Sequence, residues 1–147
     1  MVKKQNSTLS EFDLCLKKAL SLLSYADNNR RTLYTKLVRQ GYDRDIATQV
    51  VEECVSLGYI NEIRQIERII LSEVNISLRG EGYVVKKLIS KGYNTEDIRI
   101  CMSKLTENGE INFADSFSRL CQKREAADDE EKKALAYKFG YKNYDLE

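Results

Sequence analysis

The chain has no histidine, no proline and no tryptophan, and only four cysteines and seven glycines in 147 residues. Without histidine, nucleophile–histidine pairs and the hydrolytic triads built on them are excluded. Cys15, Cys54, Cys101 and Cys121 are widely spaced and form no C-x-x-C pair, so zinc or iron–sulfur ligation is not expected. Cys101 lies on the apolar stripe Ile98, Cys101, Met102, Leu105, and Cys54 follows Val50 by one helical turn. Both read as small buried hydrophobes in a reducing compartment rather than parts of a disulfide framework. No apolar run approaches the roughly 18 residues needed to span a membrane, and the first residues lack a signal-peptide core. A cytoplasmic protein without a membrane partner is the expectation. There is no G-x-x-x-x-G-K-[ST] phosphate loop and no G-x-G-x-x-G; the G-x-G of Gly80-Glu81-Gly82 lies between helices with no preceding strand and reads as a turn. The acidic pairs Glu52-Glu53 and Asp128-Asp129 are adjacent, diverge on a helix and read as solvated surface. No catalytic residue, metal or cofactor is assigned. An enzyme is not expected.

What the chain does have is a repeat. Gly41-Tyr42 returns as Gly92-Tyr93, and Gly58 as Gly109, both 51 positions on; Gly140-Tyr141 follows Gly92 by 48. Leu37 and Leu88 each stand four residues before their glycine. Self-similarity at this period predicts stacked supersecondary units, each too small to bury its apolar face alone. The expected divisions are an N-terminal extension with repeat 1 over 1–58, repeat 2 over 59–109 and a shortened repeat 3 over 110–147.

Helical periodicity fills each repeat. Thr8 to Glu11 has the form of a capping box, and Leu9, Phe12, Leu16, Ala19, Leu20 and Leu23 predict a first helix to about Tyr25. After the turn formers "ADNNR", a second helix covers about Arg31 to Gln40 and stops at Gly41. Asp43 caps a third, with Ile46, Val50, Cys54 and Val55 inward, ending at Gly58. Repeat 2 follows the same plan. Asn61 caps a helix through Ile63, Ile66, Ile70 and Val74 to about Leu78; Tyr83 to Lys91 forms the next, with Val84, Val85, Leu88 and Ile89 on one arc. Asn94 caps a sixth through about Glu107. In repeat 3, helices are predicted from Asn112 to about Ala127 and from Asp128 to Phe139, with a ninth only starting where the chain stops and a frayed C-terminal unit as the consequence. No strand pattern of any length occurs. The expected fold is all-α: three tandem three-helix repeats, the third truncated, in an elongated, curved array.

Net charge is only +1, but it is segregated. Arg30 to Arg44 holds five basic residues against Asp43 alone, and Arg79 to Lys91 holds Arg79, Lys86, Lys87 and Lys91 against Glu81. The compensating acids gather in "EAADDEE", 125–131. In the second helix Arg31, Lys36 and Arg39 lie opposite Leu33 and Leu37; in the fifth, Lys86, Lys87 and Lys91 repeat the arrangement. Either arc alone is an ordinary solvated face. Their recurrence at corresponding places points to a shared basic surface that follows phosphates or an acidic protein groove. Tyr42 and Tyr93 have the chemistry to stack on bases, but packing against their own helix ends is the expected role.

The ordered motifs resemble the RecX family. Leu33-x-x-x-Leu37-x-x-x-Gly41-Tyr42, then Gly58-Tyr59-Ile60-Asn61-Glu62 with Arg64, then Gly80 and Leu88-x-x-Lys91-Gly92 follow that family's E-L-x-x-K-L-x-x-K-G, G-Y-L-D-D-x-R-F and G-P-x-R-I-x-x-E-L-x-x-K-G. Gly140-Tyr141 matches the R-G-[FY] near the family's C-terminus, and Lys36, Arg64 and Lys91 occupy motif positions. The departures are Gly80-Glu81-Gly82-Tyr83 for G-P-x-R, Asn61-Glu62 for the acidic pair, Thr32 and Lys87 for the two glutamates, and Phe139 for the last arginine. The resemblance implies a modulator of RecA that lies in the groove of the RecA–single-stranded DNA filament, reaching the DNA through it, and reduces ATP hydrolysis and strand exchange. Arg31, Lys36, Arg39, Arg64, Lys86, Lys87 and Lys91 are the expected contact set, and a monomer is expected. Two other readings compete: a helix-turn-helix-like DNA-binding regulator, against which the acids of the third and sixth helices weigh, and a plain α-helical protein-interaction adaptor.

Overall fold

The structure is a computed structural model that describes residues 9–142. Its eight helices are α1 (Glu11–Tyr25), α2 (Arg30–Arg39), α3 (Arg44–Ser56), α4 (Glu62–Asn75), α5 (Glu81–Ser90), α6 (Thr95–Glu107), α7 (Phe113–Arg124) and α8 (Asp129–Phe139). No strand occurs among the described residues. The all-α, three-helix repeat expectation is borne out. The period is more regular than the glycines alone indicate: α1, α4 and α7 begin at Glu11, Glu62 and Phe113, each 51 after the last. The ninth segment expected after Gly140 falls outside the described residues, as does Thr8.

Local chemistry explains most boundaries. Asn29, Asp43, Asn94 and Asn112 each accept first-turn amide hydrogens, Asn94 Oδ1 from Glu96 and Asp97 at 2.8 and 3.1 Å. At the other ends Gly41 and Gly92 adopt φ +100° and +98°. This left-handed step lets the Tyr42 amide donate to Leu37 O and the Tyr93 amide to Leu88 O, both at 3.2 Å, closing Schellman motifs. A Cβ on Gly41 would meet nothing within 4 Å, so the dihedral alone penalises a side chain there. Gly41→Ala is expected to cost about 1 kcal/mol, shifting the melting midpoint by about 4–8 °C. An unchanged thermal unfolding curve would undo this helix boundary.

Several expectations need correction. The cap of α1 is Ser10 with Asp13, whose Oγ–amide and amide–carboxylate bonds are 3.1 and 3.3 Å. Glu11 does not reach back; its carboxylate accepts the Asp43 amide at 3.2 Å instead. The inner face of α1 is built on the small residues Cys15 and Ala19, which let it pack closely on α3, leaving Leu9 and Leu20 exposed. Helix α4 stops at Asn75, because Leu78 takes φ +57° to bury its side chain, and Gln65 rather than Ile63 faces inward. Helix α5 starts at Glu81, two residues early, and Ile89 is 46% exposed.

The chain divides into two compact units, Met1–Glu62 and Ile63–Glu147. The core of the first is Cys15, Ala19, Leu33, Leu37, Val50 and Cys54 with their neighbours. In the second, one core joins Ile66, Ile70 and Leu88 to Phe117, Leu120 and Phe139. Repeat 3 was expected to fray, yet α7 and α8 complete the core of repeat 2. The junction is backbone to backbone. Gly80 and Gly82 donate their amides to Phe139 O and Gly140 O at 2.8 and 3.0 Å, so the carbonyls ending α8 satisfy the amides beginning α5. Arg79 is held between the Tyr83 and Phe139 rings, 4.4 Å from each centroid.

Candidate partner-binding surface

In the N-terminal unit, fully buried Leu33 and Leu37 fix which side of α2 faces inward. Arg31 and Arg39 are then exposed and Lys36 half-buried, as the helical wheel predicts. Arg30, the fourth cation of this helix, serves the fold. Its guanidinium meets Glu52 Oε2 of α3 at 3.0 Å, and its amide donates to Glu62 Oε2 at 2.8 Å. Arg44 begins α3.

In the C-terminal unit, Lys86 and Lys91 are exposed on and just after α5, and Arg64 is exposed on α4. Lys87 is different. Its Nζ makes an ion pair with Glu73 of α4, whose side chain is largely buried, and this hydrogen bond raises the lysine pKa against the opposing effect of desolvation. The pair ties α5 to α4, so the equivalence of Lys87 with the other arc lysines does not hold. Fourteen residues separate the partners, a distance at which a helical wheel carries no information.

The tyrosines of the glycine pairs are structural, as expected. Tyr93 is buried and donates to Gln65 Oε1 at 2.7 Å; Tyr42 is half-buried with its hydroxyl 3.4 Å from Leu14 O. Leu14 and Gln65 are themselves 51 apart, so each tyrosine reaches the matching position on the first helix of its own repeat. Tyr141 differs: it reaches back into repeat 2, donating to Leu78 O at 2.8 Å, and packs its ring 4.9 Å from that of Phe117 in its own repeat.

All four cysteines are buried as free thiols. Burial, reinforced by Glu11 and Cys54, pushes the Cys15 thiol up to about 11, and burial raises Cys54, Cys101 and Cys121 as well. Neutral thiols at physiological pH are poor nucleophiles and poor metal ligands. Among the described residues no three histidine, cysteine or carboxylate side chains are grouped to hold a metal. No helix among them is long and apolar enough to cross a membrane. A groove of about 570 Å³ runs along Met102, Thr106, Ile111 and Phe113 between α6 and α7, rimmed by Glu81 and Glu107, and takes in none of the expected contact residues.

The helices and caps thus define an all-α protein of tandem three-helix repeats that presents cations on its second and fifth helices. Residues 15–54, which run from α1 to α3, match the family model described as RecX, first three-helix domain. The regulatory protein RecX of Clostridioides difficile (strain 630) is 26% identical over 132 residues, 88% of this chain and 62% of that protein. Its counterpart from Mycobacterium sp. (strain KMS) is 26% identical over 111 residues, 76% of this chain and 61% of that protein. The chain therefore spans about three-fifths of the length of these relatives. In fold it is similar to the crystal structure of RecX from Lactobacillus salivarius, with a TM-score of 0.77 at 17% identity over 92% of both chains. A second crystal structure of regulatory protein RecX gives 0.80 at 16% identity, over 95% of this chain and 72% of the other. The likeness to the RecX family read from the ordered motifs is borne out: by the family model in repeat 1, by relatives along most of the chain, and by crystal structures in fold.

Proposed function

We propose that this protein modulates a RecA recombinase, lying in the groove of the RecA–single-stranded DNA filament and lowering its ATP hydrolysis and strand exchange. The observation that carries the reading is a RecX-type first domain, residues 15–54, whose α2 turns Arg39 outward beside half-buried Lys36. Exposed cations on rigid helices suit the phosphates and acidic side chains of a nucleoprotein filament, and their attraction is screened by salt. Arg31, Lys36, Arg39, Arg64, Lys86 and Lys91 form the contact set; Lys87 adds little while Glu73 holds it. The protein acts by binding and takes no part in the chemistry of ATP hydrolysis.

The test is single-stranded-DNA-dependent ATP hydrolysis by the cognate RecA, titrated with this protein at two salt concentrations. Inhibition at low stoichiometry, weaker in high salt, is the expected result. Replacing Lys36, Arg39, Lys86 and Lys91 together by serine should weaken inhibition about fourfold or more at low salt, since exposed ion pairs contribute roughly 0.2–1 kcal/mol each. Full inhibition by that variant would discard the contact set and favour an adaptor that binds by shape. No inhibition by folded protein in stoichiometric excess would discard the RecA reading.

A further inference from the structure

Repeat 2 carries an open groove that the RecA reading leaves unused. The depression between α6 and α7 continues past Met102 and Ser103 into a second one of about 260 Å³, which reaches Val85 of α5 and Thr95 and Arg99 of α6. Together they follow one side of α6 from Thr95 to Glu107, about 18 Å at 1.5 Å per residue. Met102, Ile111, Phe113 and half-buried Val85 make the floor apolar. Glu81 and Glu107 stand on the rim.

The repeat register explains why this groove is open. In repeat 1 the corresponding cleft between α2 and α3 is bridged: Arg30 meets Glu52 at 3.0 Å through its guanidinium and Glu62 at 2.8 Å through its amide. The same three positions in repeat 2, each 51 residues on, are Glu81, Ser103 and Phe113, and all of them line the groove. A glutamate facing a serine supplies no ion pair to span the gap, and the phenylalanine adds to the floor. The cations of α6 are engaged. Arg99 is held by both carboxylate oxygens of Glu96, and Lys104 reaches Glu67 on α4 at 2.9 Å. Lys142 marks what the rim accepts: its Nζ lies 3.1 Å from Glu81 Oε2.

We propose that this groove binds a short basic segment of a partner protein, with apolar side chains on the floor of Met102 and Phe113 and lysines or arginines on Glu81 and Glu107. A lysine or arginine lays its methylene stem along an apolar floor and keeps its charge at the wet rim. An extended segment covers the length of the groove with about five or six residues. Nucleic acid does not suit the site, because the two rim carboxylates repel phosphates. The groove uses none of the cations of the contact set, so it goes beyond the function proposed above.

The experiment is fluorescence anisotropy of a labelled short peptide of alternating leucine and arginine, titrated with the whole chain without RecA or DNA. The expected result is saturable binding that weakens with salt and is lost when glutamate replaces the arginines of the peptide. Glu81→Arg with Ser103→Glu rebuilds the bridge of repeat 1 across the groove and should weaken binding about tenfold or more, the effect of denying burial to one leucine. Glu107→Gln, at an exposed position, should weaken it about 1.4- to 5-fold, the range of one exposed ion pair. Circular dichroism checks that each variant keeps the helices of the parent; if the double variant does not, Glu107→Gln alone decides. No binding by the parent chain, equal binding of the glutamate peptide, or undiminished binding by the folded variants would overturn the proposal. Because neither RecA nor DNA is present, such a failure leaves the filament reading standing, and a failed ATP hydrolysis assay leaves this one.

Discussion

Gly140→Ala is expected to destabilise the C-terminal unit by about 3 kcal/mol, roughly three times the effect of Gly41→Ala. Both glycines have positive φ, +84° at Gly140 and +100° at Gly41, so both share a dihedral penalty of about 1 kcal/mol. Only Gly140 is also crowded. A Cβ there would fall 2.6 Å from both the Cβ and the amide nitrogen of Tyr83, whereas at Gly41 it would meet nothing. Relief requires α8 to withdraw from α5, stretching the bonds from Gly80 and Gly82 to the carbonyls of Phe139 and Gly140. Overpacking of this kind costs about 1–3 kcal/mol in addition. Thermal unfolding followed by circular dichroism would show a midpoint lowered by more than about 10 °C. Equal losses for the two variants would mean that the close approach of α8 to α5 is not real. Gly80 faces the same contact from the other side, its would-be Cβ lying 2.5 Å from Gly140 O, although its own φ is ordinary.

Ending the chain at Asn112 is expected to unfold repeat 2 while leaving the N-terminal unit folded. In an array of independent repeats, loss of the last unit removes that unit and one interface. Here α7 and α8 contribute Phe113, Phe117, Leu120, Ala136, Phe139 and Tyr141 to the core that holds Ile66, Ile70, Val74 and Leu88. Deleting one buried aromatic side chain costs about 3–5 kcal/mol, and a whole domain is stable by only about 5–15 kcal/mol. Removing four of them leaves no margin. Amide resonances of α4 to α6 should lose their dispersion in the truncated chain, while those of α1 to α3 keep theirs. Native-like dispersion in α4 to α6 would show that repeat 2 stands alone.

Helix α6 shows how much a local pattern can determine. Its cap at Asn94, its end at Asn108-Gly109 and its buried stripe of Ile98, Cys101, Met102 and Leu105 all follow from residues within one helix length. The same holds for α3 and for the left-handed glycines, where the signal is carried by a backbone dihedral that few other residues adopt. Helix α1 departs from its pattern because apolar periodicity ranks leucine above cysteine and alanine. Close packing on α3 favours the small pair Cys15 and Ala19 and turns Leu9 and Leu20 outward. On the candidate surface, Arg31, Arg39, Lys86 and Lys91 are exposed as the wheel places them, while Lys87 is claimed by Glu73.

The sequence by itself determined most of the helices and caps, the 51-residue period and the ordered motifs that resemble the RecX family, because each depends on neighbours within a turn or two or on simple recurrence. Tertiary structure alone decided that repeats 2 and 3 share one core, that Gly80 must be small, and which cations remain on the surface. Those outcomes depend on backbone and side chains brought together from more than a dozen to more than 60 positions apart. A Cβ clash or an ion pair has no trace in the sequence until the helices that carry it are packed.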